Sequence, residues 1–345
     1  SPHRMVHEQF VGNTYLVRVA ALLSIAATLE PESPWENQAF LQSCMRLDVR
    51  VAHSDEVWLS HDVHAEKTSQ HKDPLPRAAA AAAPSFSSRC SLITLTAGTP
   101  REGTDMTPVF YEHLEAIRGG HASVAEHVVV IGDECNASLR TTLLADSALR
   151  VVHDAEPFNF ARRSNRGSRA ATGEILVFVN DDFVPLRPDW LDALTAPFAD
   201  ERVAVTGATM LFADDTIQHL GIGVIDGSDR HFYRDSELTT PRVASLLSMN
   251  REVDAVTGAC MAVRADVFDE VGGFFEGFPL NYNDIDLCLK VWLRGRSVIH
   301  VGTPLGHHFE SVTREAVLLP EEASLFFSRW PRRRLQSRFP AECFG

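Results

Sequence analysis

The chain has 345 residues, an apolar fraction of 45% and a formal net charge of −14 at pH 7. This length suits one large domain plus an extra module, and the apolar fraction is sufficient for a sizeable core. The acidic balance argues against a general nucleic-acid-binding protein, which normally carries a basic stripe. The six cysteines are widely spaced and form no CxxC pair, so we expect a reducing, cytoplasmic compartment and no disulfide framework.

The first part of the chain predicts a small α+β region over residues 1–66 and a linker over 67–88. Residues 15–29 have the pattern of a helix, and 47–51 alternate like a strand. The helical segment contains Arg18 and is shorter than the roughly 20 residues that a membrane span needs. Residues 67–88 combine prolines, serines and a run of six alanines, which is typical of a linker.

From Cys90 onward, short β-type runs alternate with helical segments. The predicted strands cover 91–96, 127–131, 149–153, 175–182 and 203–207, and the predicted helices cover 108–117, 160–172 and 190–198. This alternation predicts a mostly parallel sheet with helices on both faces. After about residue 208 the rhythm loosens. An apolar run over 253–263, a helix over 284–293 and a final strand over 297–301 are predicted there.

Two adjacent carboxylates, Asp181 and Asp182, end the apolar run ILVFV. In α/β folds, ligands bind at the carboxyl ends of strands, where side chains leave a rigid sheet. Two carboxylates at this place suit a divalent cation that is shared with a phosphorylated ligand. A polar turn after a strand explains the pair equally well when it is considered alone.

Three further positions carry side chains that are suited to catalysis or ligand binding. Asp284, at the start of a predicted helix, suits a general base, although a carboxylate there also simply favours the helix dipole. One imidazole of the pair His307 and His308 suits a metal ion, and Arg314 suits phosphate oxygens. Taken singly, such residues are more often structural or solvated. The basic run over 329–338 suits either a solvated face or contact with an anionic membrane.

The segment from about 91 to 330 resembles inverting family-two glycosyltransferases with the GT-A fold. It is most similar to the bacterial subgroup linked to rhamnan, O-antigen and other cell-surface polysaccharides. Six blocks in the same order carry the resemblance. They are PFNFARRSNRGSRAATGEILVFVNDD (157–182), PDWLDAL (188–194), TIQHLGIGV (216–224), AVTGACMAVR (255–264), NDIDLCLK (283–290) and HFESVTR (308–314).

The resemblance implies an α/β fold class: a GT-A, Rossmann-like domain over 89–325, with a mostly parallel sheet flanked by helices. The region 1–66 and the linker 67–88 precede this domain, and a basic tail over 326–345 follows it. The implied cofactors are a divalent metal, Mg²⁺ or Mn²⁺, and a nucleotide-sugar donor, a UDP- or dTDP-sugar.

The resemblance also implies roles for individual residues on the donor side. The DxD-type motif falls on Asn180, Asp181 and Asp182. Asp182 is the implied metal ligand, and Asp181 or Asn180 lies near the ribose and diphosphate. The late histidine of the metal site falls on His308, with His307 as its rival. Asn165 corresponds to an asparagine beside the nucleotide pocket.

On the acceptor side, the catalytic base falls on Asp284, and Gly258, Ala259 and Cys260 line the acceptor. Asp286 is implied to be either structural or acceptor-facing. The chain departs from the family where the nucleobase binds, because its first two strands run into LTAGTPREGTD and IGDECNAS. Asp133 is the candidate for that nucleobase contact.

The resulting prediction is metal-dependent, inverting transfer of a sugar to a hydroxyl of a glycan or lipid-linked glycan in bacterial cell-surface polysaccharide synthesis. The enzyme is expected in the cytoplasm, with contact to the inner face of the membrane through its basic tail. One alternative is a non-catalytic module that binds nucleotide or glycan on a degenerate transferase fold. A nucleotidyltransferase is the other, but the segment AGTPREGTD offers Arg101 and no lysine for a triphosphate.

Overall fold

The computed structural model describes residues 89–99, 109–117, 124–225, 228–309 and 319–330. These residues belong to the second of the two units into which the chain divides, Pro84–Gly345. The region predicted over 1–66, the linker over 67–88, Arg314 and residues 331–345 of the basic tail lie outside the described residues. Their predicted roles are therefore not addressed by the structure.

The described residues contain twelve strands and eight α-helices. The strands are β1 (Cys90–Thr96), β2 (Val124–Gly132), β3 (Leu149–Asp154), β4 (Ile175–Val179), β5 (Phe183–Pro185), β6 (Val203–Leu211), β7 (Ile217–His219), β8 (Ile222–Ile225), β9 (Ser228–His231), β10 (Arg251–Glu252), β11 (Cys260–Arg264) and β12 (Ser297–His308). The helices are α1 (Val109–Ile117), α2 (Ala137–Ala145), α3 (Phe160–Ala170), α4 (Trp190–Thr195), α5 (Pro241–Leu247), α6 (Ala265–Glu270), α7 (Asn283–Leu293) and α8 (Pro320–Arg329).

The elements predicted from Cys90 onward are present, with three main differences. The strand predicted over 175–182 ends at Val179, and residues 180–182 form the turn that follows it. The helix predicted over 190–198 is divided into α4 and a 3₁₀ turn, Ala196–Ala199. Pro197 lies in that turn and lacks the N–H that a continuing α-helix needs. The strand predicted over 297–301 continues to His308, so the histidine pair lies on β12 rather than after it. None of the described helices is long and apolar enough to cross a membrane.

The main sheet has the strand order β10-β12-β6-β11-β4-β1-β2-β3. Strands β3, β2, β1, β4, β6 and β12 run in the same direction, while β11 and β10 run against them. The sheet is thus mixed but mostly parallel, which confirms the predicted fold class.

Both faces of the sheet are buried, and successive side chains along each strand point to opposite faces. Ile93 and Phe178 point into one apolar core, whereas Leu92 and Val177 point into another on the opposite face. A parallel strand that is covered on both sides has a continuous apolar sequence, which explains the run ILVFV of β4.

Two strands bring distant parts of the chain to the carboxyl end of β4. Strand β11 pairs antiparallel with β4 and places Cys260 opposite Val179, so that the residues before β11 lie beside Asn180. Strand β12 first follows β6 in parallel and then pairs antiparallel with β5, which places His308 opposite Phe183. Three segments therefore meet at the carboxyl end of β4: residues 180–182, 257–259 and 307–308.

Candidate active site

Asp181 and Asp182 form a buried acidic turn directly after β4. Burial raises the pKa of Asp181 to about 7, and the neighbouring charge of Asp182 adds to this effect. Burial also acts to raise the pKa of Asp182, but charge and hydrogen-bond contributions from the facing His308 outweigh it and hold that pKa below its ordinary value. Two adjacent carboxylates therefore differ in protonation because their surroundings differ.

His308 is fixed between three side chains. Its Nε2 lies 3.1 Å from Asp182 Oδ1 and 3.1 Å from Asn180 Nδ2, and its Nδ1 contacts the side-chain amide of Gln218. In the neutral imidazole, a lone pair at Nε2 accepts from Asn180 and leaves the proton on Nδ1. In the structure the amide nitrogen of Gln218 faces this Nδ1, and rotation of the amide by 180° brings its oxygen to accept from the Nδ1–H. This is the support that a metal-binding histidine normally receives.

The donor set fits a divalent cation. Asp182 Oδ1 is buried and faces Nε2 of His308 at 3.1 Å. In the neutral Nδ1–H form of His308 this nitrogen has no proton to donate, so the carboxylate oxygen and the imidazole lone pair suit a shared cation. A carboxylate and a neutral imidazole are both suitable ligands for Mn²⁺ or Mg²⁺. Within the part of the chain that the structure describes, no ready-made cluster of three His, Cys, Asp or Glu ligands occurs.

His307, the rival of His308, points elsewhere. Its Nε2 lies 2.7 Å from the carboxylate of Asp215, in the turn between β6 and β7. Successive side chains of a strand point to opposite faces, so only one of the two imidazoles can face Asp182. The geometry favours His308 as the ligand.

The opposite pKa shifts of the acidic turn predict opposite effects on stability. Because the pKa of Asp181 is higher in the folded protein, stability falls as the pH rises from about 4 to 7 and stays reduced above it. Asp181→Asn removes this penalty. It should raise the free energy of unfolding of metal-free protein at pH 8 by up to a few kcal/mol, because the folded state no longer holds a buried charge that the unfolded state solvates.

Thermal melts in EDTA at pH 8 and at pH 4 measure this effect. Wild type and Asp181→Asn should differ at pH 8 and coincide at pH 4. Asp182→Asn is the matched control, because the lowered pKa of Asp182 means that folding does not penalise its charged form. Equal melting temperatures for wild type and Asp181→Asn at pH 8 contradict the assigned environment.

Asp284 lies in the first turn of α7 and is half-buried. Its Oδ2 accepts from Gly258 N at 3.0 Å, and its Oδ1 accepts from Ile285 N at 2.8 Å. Burial raises the pKa of Asp284, and the two backbone amides oppose this rise. A carboxylate that is oriented by backbone donors, with a pKa closer to neutrality, suits a general base.

The loop 257–259 joins this carboxylate to the acidic turn. Gly258 N donates to Asp284, and on the next residue Ala259 O accepts from Asn180 N at 2.9 Å. A Cβ atom on Gly258 would lie 3.3 Å from the ring of Phe160, so glycine permits this close approach. Gly258 and Ala259 contact Asp284 and Asn180, and their role in lining the acceptor stays a prediction. Cys260 does not line it, because its side chain is fully buried in the core below the sheet.

Residues of α8 and the adjoining Trp330 contact the first turn of α7. Asp286 is fully buried and accepts from Arg329 Nε at 2.6 Å and from Trp330 Nε1 at 2.8 Å, with Lys290 Nζ at 3.4 Å. These contacts favour the structural alternative for Asp286. Tyr282, which precedes α7 with a left-handed φ of 61°, stacks on Phe326 with a centroid distance of 4.5 Å. Strain at such a residue persists only where its surroundings fix it.

Asp133 and Asn165, the two residues predicted to lie near the nucleotide, contact other parts of the domain. Asp133 is exposed after β2 and accepts from His153 Nε2 at 2.8 Å. Asn165 holds the segment after α6, since it donates to Phe274 O and accepts from Phe274 N, each at 2.9 Å. The contacts predicted for these two residues with the nucleotide remain predictions.

Two residues of the site were missed from the sequence. Gln218 lies inside the block TIQHLGIGV, which marks its segment but not its contact with His308. His113 donates from Nδ1 to Phe183 O at 2.8 Å and so supports the chain after Asp182. Burial lowers its pKa to about 4, which keeps it neutral. No pattern around residue 113 indicated this role.

Comparison with known proteins places the chain in a family. The family described as glycosyltransferase like family 2 matches residues 106–334, which is more than half of the chain. Protein y4gI of Sinorhizobium fredii (strain NBRC 101917 / NGR234) is 30% identical over 251 residues, covering 66% of this chain and 27% of y4gI. The O-antigen biosynthesis protein RfbC of Myxococcus xanthus is 34% identical over 170 residues, covering 48% of this chain and 13% of RfbC.

The chain thus spans a small part of these two relatives. Among solved structures, GalNAc-T7 with UDP, GalNAc and Mn²⁺ is similar with a TM-score of 0.52 at 15% identity, covering 68% of this chain and 45% of that one. This likeness concerns the fold alone. The match over residues 106–334 is consistent with two features of the structure, the strand order and the acidic turn at the end of β4. The chain belongs to glycosyltransferase family 2, and its described residues form a GT-A domain.

Proposed function

We propose that the domain transfers a sugar, with inversion at the anomeric carbon, from a nucleotide-diphosphate sugar to a hydroxyl of a glycan or lipid-linked glycan. The observation that supports this best is the loop 257–259. It links the carboxylate of Asp284 to the acidic turn through Gly258 N and Ala259 O. A general base and a diphosphate site are thereby held in fixed relation, as a single displacement requires.

In this proposal, Asp284 removes the proton of the acceptor hydroxyl while the hydroxyl oxygen bonds to the anomeric carbon. The bond from that carbon to the diphosphate oxygen breaks, and the diphosphate keeps the electron pair. Asp182 and His308 would hold a divalent cation, which offsets the charge of the leaving diphosphate when bound. The raised pKa of Asp284 strengthens it as a base near neutral pH.

The relatives support the donor and acceptor classes. GalNAc-T7 was solved with UDP and Mn²⁺, and RfbC is described as an O-antigen biosynthesis protein. We therefore extend the proposal to a hexosyl or deoxyhexosyl donor carried by UDP or dTDP, and to cell-surface polysaccharide as the product. Cys90, Cys135, Cys260 and Cys288 are free thiols, which suits the reducing cytoplasm. Contact of the basic tail with the membrane remains a part of the proposal.

The experiment that tests the proposal is calorimetric titration with UDP, dTDP and GDP, each with and without Mn²⁺. Tight binding of one nucleotide that requires Mn²⁺ supports a transferase and identifies the base of the donor. Incubation of the matching nucleotide sugars with the enzyme then detects release of the diphosphate. Absence of binding by all three nucleotides contradicts the proposal and favours a degenerate module.

A further inference from the structure

A pair of histidines, His219 and His231, lies next to the loop 257–259 and has no part in the proposed chemistry. His219 ends β7 and is 1% exposed, while His231 ends β9 and is exposed. Their Nδ1 atoms are 3.3 Å apart, and their rings meet edge to face with centroids separated by 5.3 Å. One buried and one exposed imidazole therefore form a direct contact.

The contacts of His219 determine where its proton lies. Thr257 N donates to His219 Nε2 at 3.3 Å, so Nε2 provides a lone pair and the neutral ring carries its proton on Nδ1. Burial lowers the pKa of His219 well below its ordinary value, and the nearby His231, His300 and Arg251 lower it further. The neutral Nδ1–H form then donates to His231 Nδ1, which places the proton of a neutral His231 on Nε2.

The hydrogen bond to Thr257 acts at the loop that orients Asp284. The next residue, Gly258, donates its N–H to Asp284 Oδ2 at 3.0 Å. The hairpin of β8 and β9 is tied to the same segment, since Ile222 N donates to Ala255 O at 2.9 Å and Val224 N donates to Asp254 Oδ2 at 2.8 Å. His231 and Asp229, on β9, also act electrostatically on the Asp284 carboxyl.

We propose that His219 is a positioning residue for Asp284, acting through the Thr257–Gly258 backbone, and that His231 selects the tautomer in which His219 can do so. This inference rests on the proposed role of Asp284 as the base. If His219 carries its proton on Nε2, it cannot accept from Thr257, and the loop loses a hydrogen bond next to the amide that holds the base. The acceptor hydroxyl then meets a carboxylate in the wrong orientation.

Two variants of similar volume test the hydrogen bond. His219→Gln retains an oxygen that can accept from Thr257 N, whereas His219→Leu retains the bulk and removes the acceptor. Misorientation of the base by about 1 Å costs on the order of 100-fold in rate. We expect His219→Leu to lower kcat between roughly tenfold and 100-fold, with the KM for the nucleotide sugar unchanged. His219→Gln should recover most of the loss.

A purely structural role predicts a different pattern. In that case both variants lose melting temperature, and the KM for donor and acceptor and kcat change together. A kcat for His219→Leu equal to that of wild type overturns the proposal, and so does failure of His219→Gln to recover activity.

The tautomers supply a readout that needs no activity. Long-range ¹H–¹⁵N correlation spectra of histidine-labelled wild-type protein at pH 7.5 distinguish Nδ1–H from Nε2–H rings, and the spectrum of His219→Gln assigns the signal. We expect the Nδ1–H form for His219 and the Nε2–H form for His231. An Nε2–H form of His219 overturns the inference even where sugar transfer is confirmed. The expected tautomers support the contact even where no donor is found or His219→Leu does not fold.

Discussion

Asp284→Asn is expected to lower kcat for sugar transfer by about 10²–10⁴, the range that general-base catalysis contributes. The amide of asparagine has nearly the shape of the carboxylate, and its oxygen can still accept from Gly258 N or Ile285 N. What it lacks is the ability to take the proton of the acceptor hydroxyl. The loss should therefore lie in the chemical step.

Donor binding separates this effect from misfolding. The Kd for the nucleotide with Mn²⁺ should stay within about twofold of wild type, because in the proposed mechanism Asp284 contacts the acceptor and not the nucleotide. Asp269→Asn is a matched control, since Asp269 is an exposed carboxylate on α6. Transfer by Asp284→Asn at a near wild-type rate excludes Asp284 as the base.

Asp182→Ala should remove metal-dependent nucleotide binding. Residues that merely orient a metal ligand typically contribute 10- to 100-fold in metal affinity, so loss of a ligand should cost at least about 100-fold. The structure supports this role because Asp182 Oδ1 is buried and faces Nε2 of His308 at 3.1 Å, so the two groups can share a cation. Titration of the variant with the nucleotide that wild type binds, with and without Mn²⁺, measures the loss.

The two neighbouring histidines provide the internal control for this experiment. His308→Ala should weaken metal-dependent binding, because Nε2 of His308 lies beside Asp182. His307→Ala should not, because His307 pairs with Asp215 on the other face of β12. Equal losses in both variants contradict the assignment of the ligand. Unchanged binding in Asp182→Ala contradicts the site itself.

The part of the sheet formed by β1 to β4 was predictable because its pattern is local. Strands β1 to β4 are short apolar runs separated by helices, and the run ILVFV leads directly into Asp181 and Asp182. The insertion of β11 between β4 and β6 was not predictable, because strand order depends on pairings between residues far apart in the chain. The full length of β12 was not predictable, because Gly302, Pro304 and Gly306 normally indicate the end of a strand. In the structure they lie where the register of β12 shifts.

The residues that meet at the carboxyl end of β4 could be named from the sequence, but their arrangement could not. Two adjacent aspartates look equivalent in a sequence, and only burial and the position of His308 give them opposite pKa shifts. The orientation of Asp284 depends on Gly258, which belongs to a different block of the chain. Gln218, His113 and Glu322 act through contacts that no local pattern specifies; Glu322, for example, accepts from Leu280 N at 2.8 Å, just before α7.

The central place of β11 has a consequence for how the chain folds during synthesis. A nascent chain that ends before Cys260 contains β4 and β6 but not the strand that lies between them, so both present open edges. Closing this gap requires long-range pairing, which is slow and leaves the intermediate prone to aggregation. The same strand carries the loop that orients Asp284. Insertion of β11 is therefore expected to close the gap between β4 and β6 and to place the loop 257–259 beside Asp284 in the same step.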